Sequence, residues 1–473
     1  MTEKKNYTVP IVMMVLLFGM ISFVTNLAAP MGIVLKSQFG VSNFQGLLGN
    51  MGNFIAYAVM GIPSGILLQR IGYKKTALIA IAVGILGIFI QFLSGHSDQS
   101  IAFWVYLSGA FVAGFSMCLL NTVVNPMLNT LGGGGNKGNQ LIQVGGSFNS
   151  VMATLTPMLV GMLIGDAAKA QITNIFPFMY AAMAVFALVF IVLFLVKIPE
   201  PNAETLAEPL GNLMRGALKF RHFILGAIGI FVYVGVEVGT PGIANLYMTT
   251  PTIDQAKGIV GEYQGQQNDA AFLQNLNDLE KQKREDSFNN AQKIIAGKST
   301  PGLGIAAGVA GGVVGFYWFL MLIGRLVGAS IGGKVSSKKM LGVTSAVGIL
   351  LILLAIFLPV SSEIKMPSFT SSGFGMTLVP TKFMFIVLVG LCTSIMWGGI
   401  FNLAVEGLGK YLAAASGIFM VLVCGGGILP AIQGWVADIA NFNVSYWVII
   451  AGLAYLLFYA LIGSKNVNKD IPV

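Results

Sequence analysis

The sequence predicts an all-α, polytopic membrane protein of twelve transmembrane helices in two six-helix halves. Three observations carry that expectation. The chain is 55% hydrophobic and only 10% charged, where a soluble globular protein carries roughly a quarter charged residues. Apolar runs of ~20 residues or more, long enough to cross a bilayer as a helix, follow one another along the whole chain. Features of the first six runs reappear in the last six, the pattern of parallel internal repeats. Abundant glycine, 60 residues, suits the close helix–helix approach that packing in lipid requires.

The runs fall near residues 9–36, 44–69, 74–95, 101–131, 139–165, 173–197, 222–249, 303–333, 339–360, 382–406, 408–438 and 444–464. The first follows a short polar stretch, Met1 to Tyr7, and is too long for a signal-peptide core, so it is expected to stay as a helix. Of the 27 Lys and Arg, sixteen stand at span ends on the side of the N-terminus, among them Lys4, Lys5, Arg70, Lys74, Lys75, Lys137, Lys334, Lys338, Lys339 and Lys469. Four, Lys36, Lys169, Lys365 and Lys382, stand at the short ends of the other side. The positive-inside rule then sets both termini in the cytoplasm. The expected location is a bacterial-type inner (plasma) membrane, with the bilayer as partner and a monomer as the unit. The net charge of +9 does not indicate nucleic acid, because the basic residues stand singly and form no patch.

Two polar stretches organise the chain. Residues 198–221, with Pro199, Pro201 and Pro209, read as a cytoplasmic linker between a first half, 1–197, and a second half, 222–473. Residues 250–302 read as an extracytoplasmic insertion, a solvated cap with the charge run Glu280 to Asp286. Phe272, Leu273, Leu276 and Leu279 in its middle have the spacing of a short amphipathic helix. Matches between the halves include Arg70-Ile71-Gly72-Tyr73-Lys74-Lys75 against Lys334-Val335-Ser336-Ser337-Lys338-Lys339. Asn125 to Gly132 likewise matches Asn402 to Gly409, and Pro157 and Gly161 match Pro430 and Gly434.

Polar side chains inside a span are costly and face a cavity or a partner helix. At ~1.5 Å per residue, the bilayer centre lies ~10 residues from a span end. Asn26, Asn121 and Asn149 are at that depth. Asn50, Asn53, Asn125, Gln143, Tyr233, Glu237, Trp397 and Asn402 complete the candidate substrate-binding set. Amides donate and accept at once, which suits a ligand made of hydroxyls. Apolar ring faces, such as Trp397 or Phe148, can stack on the C–H face of a sugar ring. A phosphate or carboxylate ligand calls for Arg or Lys at this depth, and the spacing puts none there. Arg325 falls nearer the cytoplasmic end of its span, within reach of Glu406. Both are read as gating residues, together with Arg70 and Lys74. Glu237 is the one acid well inside a span. Loss of hydration disfavours a carboxylate's charge, which makes Glu237 the candidate coupling residue. His96 and His222, at helix ends, read as solvated. The three cysteines, Cys118, Cys392 and Cys424, fall inside apolar runs with no metal or disulfide spacing, so no metal and no catalytic residue is expected.

Several stretches resemble the fucose–galactose–glucose:proton symporter family of the major facilitator superfamily. They are Asn43-Phe44-Gln45, Asn121-Thr122-Val123-Val124-Asn125-Pro126, Ser147-Phe148-Asn149-Ser150, Tyr233 to Val238, Gly324-Arg325-Leu326-Val327-Gly328, Ser394 to Gly409, and Gly425 to Pro430. The resemblance covers nearly the whole chain except 250–302. It implies the major facilitator fold, a sugar site between the halves and alternating access, with Asn149 and Asn26 at substrate positions. Three family positions differ. Ala29 and Asn121 stand where the fucose branch has acids, and Gly146 stands where it has a Gln. Proton coupling through those positions is therefore not available, while Glu237 matches the glucose/galactose-like branch.

The resulting expectation is a hexose importer (glucose, galactose, fructose or fucose) working by proton symport through Glu237, with no cofactor beyond the coupling ion. The alternatives are an uncoupled or sodium-coupled sugar facilitator and an N-acetylhexosamine transporter. A sugar receptor is disfavoured because no cytoplasmic stretch is large enough to be an output domain. An enzyme is disfavoured because no His or Asp cluster lies within the spans.

Overall fold

The computed structural model describes residues 7–39, 43–164, 172–200, 210–267, 278–370 and 373–467, with residues 269, 272, 274 and 276 in addition. Lys4, Lys5, Lys169, Pro201, Pro209, Leu273 and Lys469 lie outside the described residues.

In lipid the backbone must satisfy its own polar groups, so each apolar run closes as a helix. The elements are α1 (Thr8–Phe39), α2 (Asn43–Ser94), α3 (Gln99–Leu131), α4 (Gly135–Ile164), α5 (Phe176–Leu195), α6 (Leu210–Ala217) and α7 (Arg221–Thr249). They continue as α8 (Ile253–Gln266), α9 (Asp278–Ile295), α10 (Ala307–Ile331), α11 (Ser337–Phe357), β1 (Glu363–Thr370) and β2 (Gly373–Pro380). The last are α12 (Thr381–Thr393), α13 (Met396–Val405), α14 (Leu412–Val421), α15 (Gly425–Ile439) and α16 (Phe442–Phe458). Among the described residues ten helical stretches are long and apolar enough to cross a membrane. One of them, Phe54–Ser94, has 41 residues, about 60 Å of helix and so two crossings. With α4, 30 residues long, the crossings number twelve.

Spans two and three are one element, α2, turned at Gly72. There the backbone adopts φ 82° and ψ 177°, which only glycine takes at little cost. The Glu200 carboxylate accepts from the backbone N–H of Tyr73 (2.6 Å) and of Lys74 (3.0 Å), so it caps the helix that restarts there. Span ten is also interrupted: α12 ends at Thr393 and α13 begins at Met396. Span eleven joins α14 to α15 through one tight turn, Leu422–Cys424.

Two segments between spans differ from the sequence reading. Residues 250–302 contain two long helices, α8 and α9, which flank the middle stretch on which the amphipathic reading centred. They share a small core of Ala256, Ala291 and Ile294, with Tyr263 stacked on Phe288 at 4.3 Å. Thr252 and Gln255 form a capping box at the start of α8, a short-range signal that hydropathy does not register. Main-chain bonds from Gly302, Leu303, Gly304 and Ile305 back to Pro251, Tyr247, Thr250 and Met248 close the base of this arm. Between spans nine and ten, β1 and β2 form an antiparallel hairpin, with Met366 paired to Thr377 and Lys365 to Leu378. Its period-two alternation is present in the sequence but too short to stand out beside twenty-residue runs.

The helices pack as α1 on α4, α2 on α3, α7 on α15, and α11 on α16. Elements of 1–197 meet elements of 222–473 along two seams, α4 with α10 and α2 with α14. Glycine makes the second seam close. A Cβ at Gly417 would lie 2.8 Å from both the Gly61 carbonyl and the Gly65 Cα.

Candidate functional site

A cavity of ≈ 220 Å³ lies between these seams. Drug-sized ligands occupy pockets of ~300–1,000 Å³, so this volume suits a smaller molecule. The wall from the first six spans carries Phe18, Ser22 and Thr25 of α1, Phe54 and Tyr57 of α2, Met117 and Asn121 of α3, and Gln143, Gly146, Asn149 and Ser150 of α4. The wall from the last six carries Glu237 of α7, Trp318, Met321 and Arg325 of α10, and Ser394 and Trp397 at the break in span ten.

The Glu237 carboxylate faces the Arg325 guanidinium at 3.5 Å, the two side chains being 14% and 12% exposed. Tyr233, one turn before on α7, donates its hydroxyl to Glu237 Oε1 at 2.8 Å. Pro241 in α7 removes the N–H that would bond the Glu237 carbonyl, and the Tyr317 hydroxyl donates to that carbonyl at 3.3 Å. Arg325 spends its other N–H groups on both walls of the cavity. It donates to the Gly146 carbonyl (3.0 Å), Asn149 Oδ1 (3.2 Å), Ser150 Oγ (2.9 Å) and the Ser394 carbonyl (3.2 Å). The Ser394 carbonyl is available because the helix stops there. The space left by the missing side chain at Gly146 is taken by the Arg325 stem, 3.6 Å from where a Cβ would stand.

The amides of the first six spans are held as firmly. Asn149 Nδ2 donates to the Phe18 carbonyl at 3.0 Å. Asn121 Nδ2 donates to the Tyr57 hydroxyl at 2.5 Å. Gln143 Nε2 donates to the Ile395 carbonyl at 2.9 Å. The wall is therefore pre-oriented, with a neutralised charge pair on one side and an indole on the other.

Of the residues singled out from the sequence, Asn121, Gln143, Asn149, Glu237 and Trp397 line the cavity. The side chains of Asn26, Asn50 and Asn53 lie outside the described residues. Tyr233 and Asn125 are fully buried behind the wall, bonded to Glu237 and Trp397. Asn402 is away from the cavity: it accepts from Asn129 Nδ2 at 2.6 Å and donates to Ser337 Oγ at 2.9 Å, tying α3 to α13 and α11.

Arg325 corrects the sequence reading twice. It pairs with Glu237, not with Glu406, whose side chain is exposed and whose carbonyl meets His222 Nε2 at 2.8 Å. It also brings a cation to the cavity, where depth counting put none. Helical side chains lean toward the helix N-terminus, so a long Arg reaches deeper than its Cα position. His222, read as solvated, is buried. Of the remaining gating candidates, Arg70 is exposed and Lys74 donates to the Phe194 carbonyl at 2.7 Å. Tyr57 and Ser150 were missed. Tyr57 follows Asn50 and Asn53 at helical spacing, a stripe that could have found it.

Comparisons with known proteins place the chain among its relatives. The chain is 28% identical to the glucose/galactose transporter of Brucella abortus (strain 2308), over 98% of this chain and 96% of that one. It is 26% identical to the putative glucose/galactose transporter of Helicobacter pylori (strain ATCC 700392 / 26695), over 98% and 99%. Its fold superposes on the major facilitator transporter FucP in its outward conformation with a TM-score of 0.72, at 18% identity, over 97% of this chain and 100% of that one. Residues 11–264 match the Major Facilitator Superfamily model. Twelve crossings, a cavity between two helix seams and this match make the chain a multi-pass membrane transporter, a member of the Major Facilitator Superfamily.

Proposed function

We propose that the protein imports a neutral hexose by alternating access, coupled to proton flow through Glu237. The observation that carries this reading is the composition of the cavity: three amides, Asn121, Gln143 and Asn149, opposite an indole, Trp397, with the partly buried carboxylate of Glu237 beside them. Amides match the donor and acceptor pattern of sugar hydroxyls. The relatives named as glucose/galactose transporters support the same class. In this reading residues 1–197 and 222–473 rock against each other about the cavity, with 198–221 as their linker. Both termini are cytoplasmic in the inner membrane of a bacterial-type cell, and the monomer is the working unit. Glu237, neutral when protonated, releases Arg325. Ionised, it holds Arg325 where the guanidinium also donates to Asn149 on the opposite wall.

Purified protein in proteoliposomes tests this with labelled D-glucose and D-galactose. Uptake above the external concentration under an inward proton gradient is expected, and uptake that only equilibrates would leave a facilitator. A sodium gradient that drives accumulation where a proton gradient does not would assign the other ion. Glu237→Gln is expected to abolish accumulation while sparing sugar exchange. Survival of accumulation in that variant removes Glu237 from the coupling role. A second reading is favoured by Arg325, whose guanidinium could pair with an acidic sugar once Glu237 is neutral. Competition by unlabelled D-glucuronate and N-acetylglucosamine, beside fructose and fucose, separates these substrates.

A further inference from the structure

The indole of Trp397 forms part of the cavity wall, and its N–H does not point into the cavity. It donates to Asn125 Oδ1 at 2.9 Å. Asn125 belongs to α3 and Trp397 to α13, so this bond crosses from the first six spans to the last six. Asn125 is 0% exposed and is itself fixed, donating to the Asn121 carbonyl (2.9 Å) and to Asn121 Oδ1 (3.2 Å). Around the ring, Tyr233 and Phe419 stand edge-on at 6.3 Å each, leaving the Asn125 bond as the polar restraint on the indole. Trp397 is the second residue of α13, two residues past the interruption of span ten. The neighbouring Ile395 carbonyl is held from the same direction, by Gln143 of α4.

We propose that Asn125 is a positioning residue that makes the aromatic platform of the cavity conditional on the state of the transporter. The platform is held in its observed orientation only while α3 and α13 are together at the end of the molecule where α3 turns into α4. When the two halves part there, the indole loses its acceptor and the Ile395 carbonyl loses Gln143, so the start of α13 is released from α3 and α4 together. A sugar ring stacked on Trp397 is therefore bound more tightly from the face opposite the α3–α4 turn than from the face beside it. A burial-neutral hydrogen bond between rigid helices would have no such consequence. Its placement at the interruption of span ten, on a bond that crosses the two halves, gives it one.

This inference rests on the sugar reading for its transport consequence, so one arm of the test is independent of substrate. With Trp104, Trp318, Trp435 and Trp447 changed to Phe, Trp397 is the sole tryptophan, and ultraviolet resonance Raman reads the hydrogen bonding of its indole N–H. Asn125→Leu is expected to shift that band to the unbonded position. Asn125→Asp, whose neutral acid has the shape of the amide and offers the same acceptor, is expected to retain it. An unchanged band in Asn125→Leu would overturn the positioning role, whatever the substrate is. The second arm measures D-glucose and D-galactose KM in right-side-out and inside-out vesicles. The original chain is expected to show a lower KM from the face opposite the α3–α4 turn. Asn125→Leu and Trp397→Phe should each raise that KM roughly fivefold, bring the two faces together and leave kcat nearly unchanged. Combined, they should add nothing further. Additive effects, or a facial difference that survives Asn125→Leu, would overturn the state-dependent platform. Recovery in Asn125→Asp excludes misfolding as the cause of the loss. If the original chain binds neither sugar while the Raman shift is seen, the hexose reading fails and the positioning role stands.

Discussion

Arg325 carries more of this site than any other single residue. It joins the buried carboxyl of Glu237 to Asn149, Ser150 and the Gly146 carbonyl on the opposite wall. Removing one member of a buried pair leaves the other charge without compensation, at a cost of about 3–5 kcal/mol. Arg325→Met is therefore expected to lower the thermal stability of the detergent-solubilised protein more than Glu237→Gln does. The double variant, with no charge left, should regain much of the loss, and a cycle of the four proteins in a melting assay measures the coupling. The sequence revealed Glu237, Asn121, Gln143, Asn149 and Trp397 because polar groups stand out in an apolar run. It could not reveal where Arg325 ends, because Cα depth does not register the reach and lean of a long side chain. Nor could it separate Asn402, which ties helices together, from Asn149, which faces the cavity. Both are amides within apolar spans, and the crossing of helices tells them apart.

At the scale of an element, α2 shows how one position sets a turn. Gly72 is left-handed, and a Cβ there would stand 2.5 Å from Glu200 Oε2. A non-glycine residue in that conformation costs about 1–3 kcal/mol, and the displaced carboxylate also uncaps Tyr73 and Lys74. Gly72→Ala is expected to destabilise the protein by more than that conformational cost, and Glu200→Ala by about 1 kcal/mol, the worth of a helix cap. Additivity of the two would contradict the geometry, since both act on the same cap. Thermal melting in one detergent reads all three proteins. The long spans were legible because a twenty-residue apolar run has one structural outcome in lipid. The shorter elements between them, the β1–β2 hairpin and the α8–α9 pair, depend on alternation and capping over a few residues, which a hydropathy reading averages away. The breaks in spans ten and eleven were hidden for the same reason.

For the whole molecule, the proposed alternating access makes the two seams the contacts that open when the cavity changes sides. At the α2–α14 seam the approach depends on glycine, and Gly417→Val would push a side chain against Gly61 and Gly65. That variant is expected to hold the seam apart and shift the population of states rather than unfold a helix. Gln140 Nε2 bonds the Ala329 carbonyl at 3.0 Å along the α4–α10 seam. Cysteines placed at 140 and 329, with Cys118, Cys392 and Cys424 replaced, should cross-link readily in the original chain and less in Gly417→Val. Equal cross-linking would show that the two seams open independently.

The arm formed by α8 and α9 is anchored at its base to the end of α7 by main-chain bonds of 2.7–3.0 Å, and to α15 where Thr300 donates to the Ala437 carbonyl at 2.7 Å. A stiff rod fixed to a moving part magnifies its rotation. α8 alone has 14 residues, about 20 Å of lever, so a small tilt of α7 becomes a displacement of several ångströms at the far end. A fluorophore or spin label on that end, well away from lipid-buried positions, would register the working stroke of the helix that carries Glu237 without touching the cavity. An antibody fragment gripping the arm would load that helix mechanically and slow its turnover from a distance.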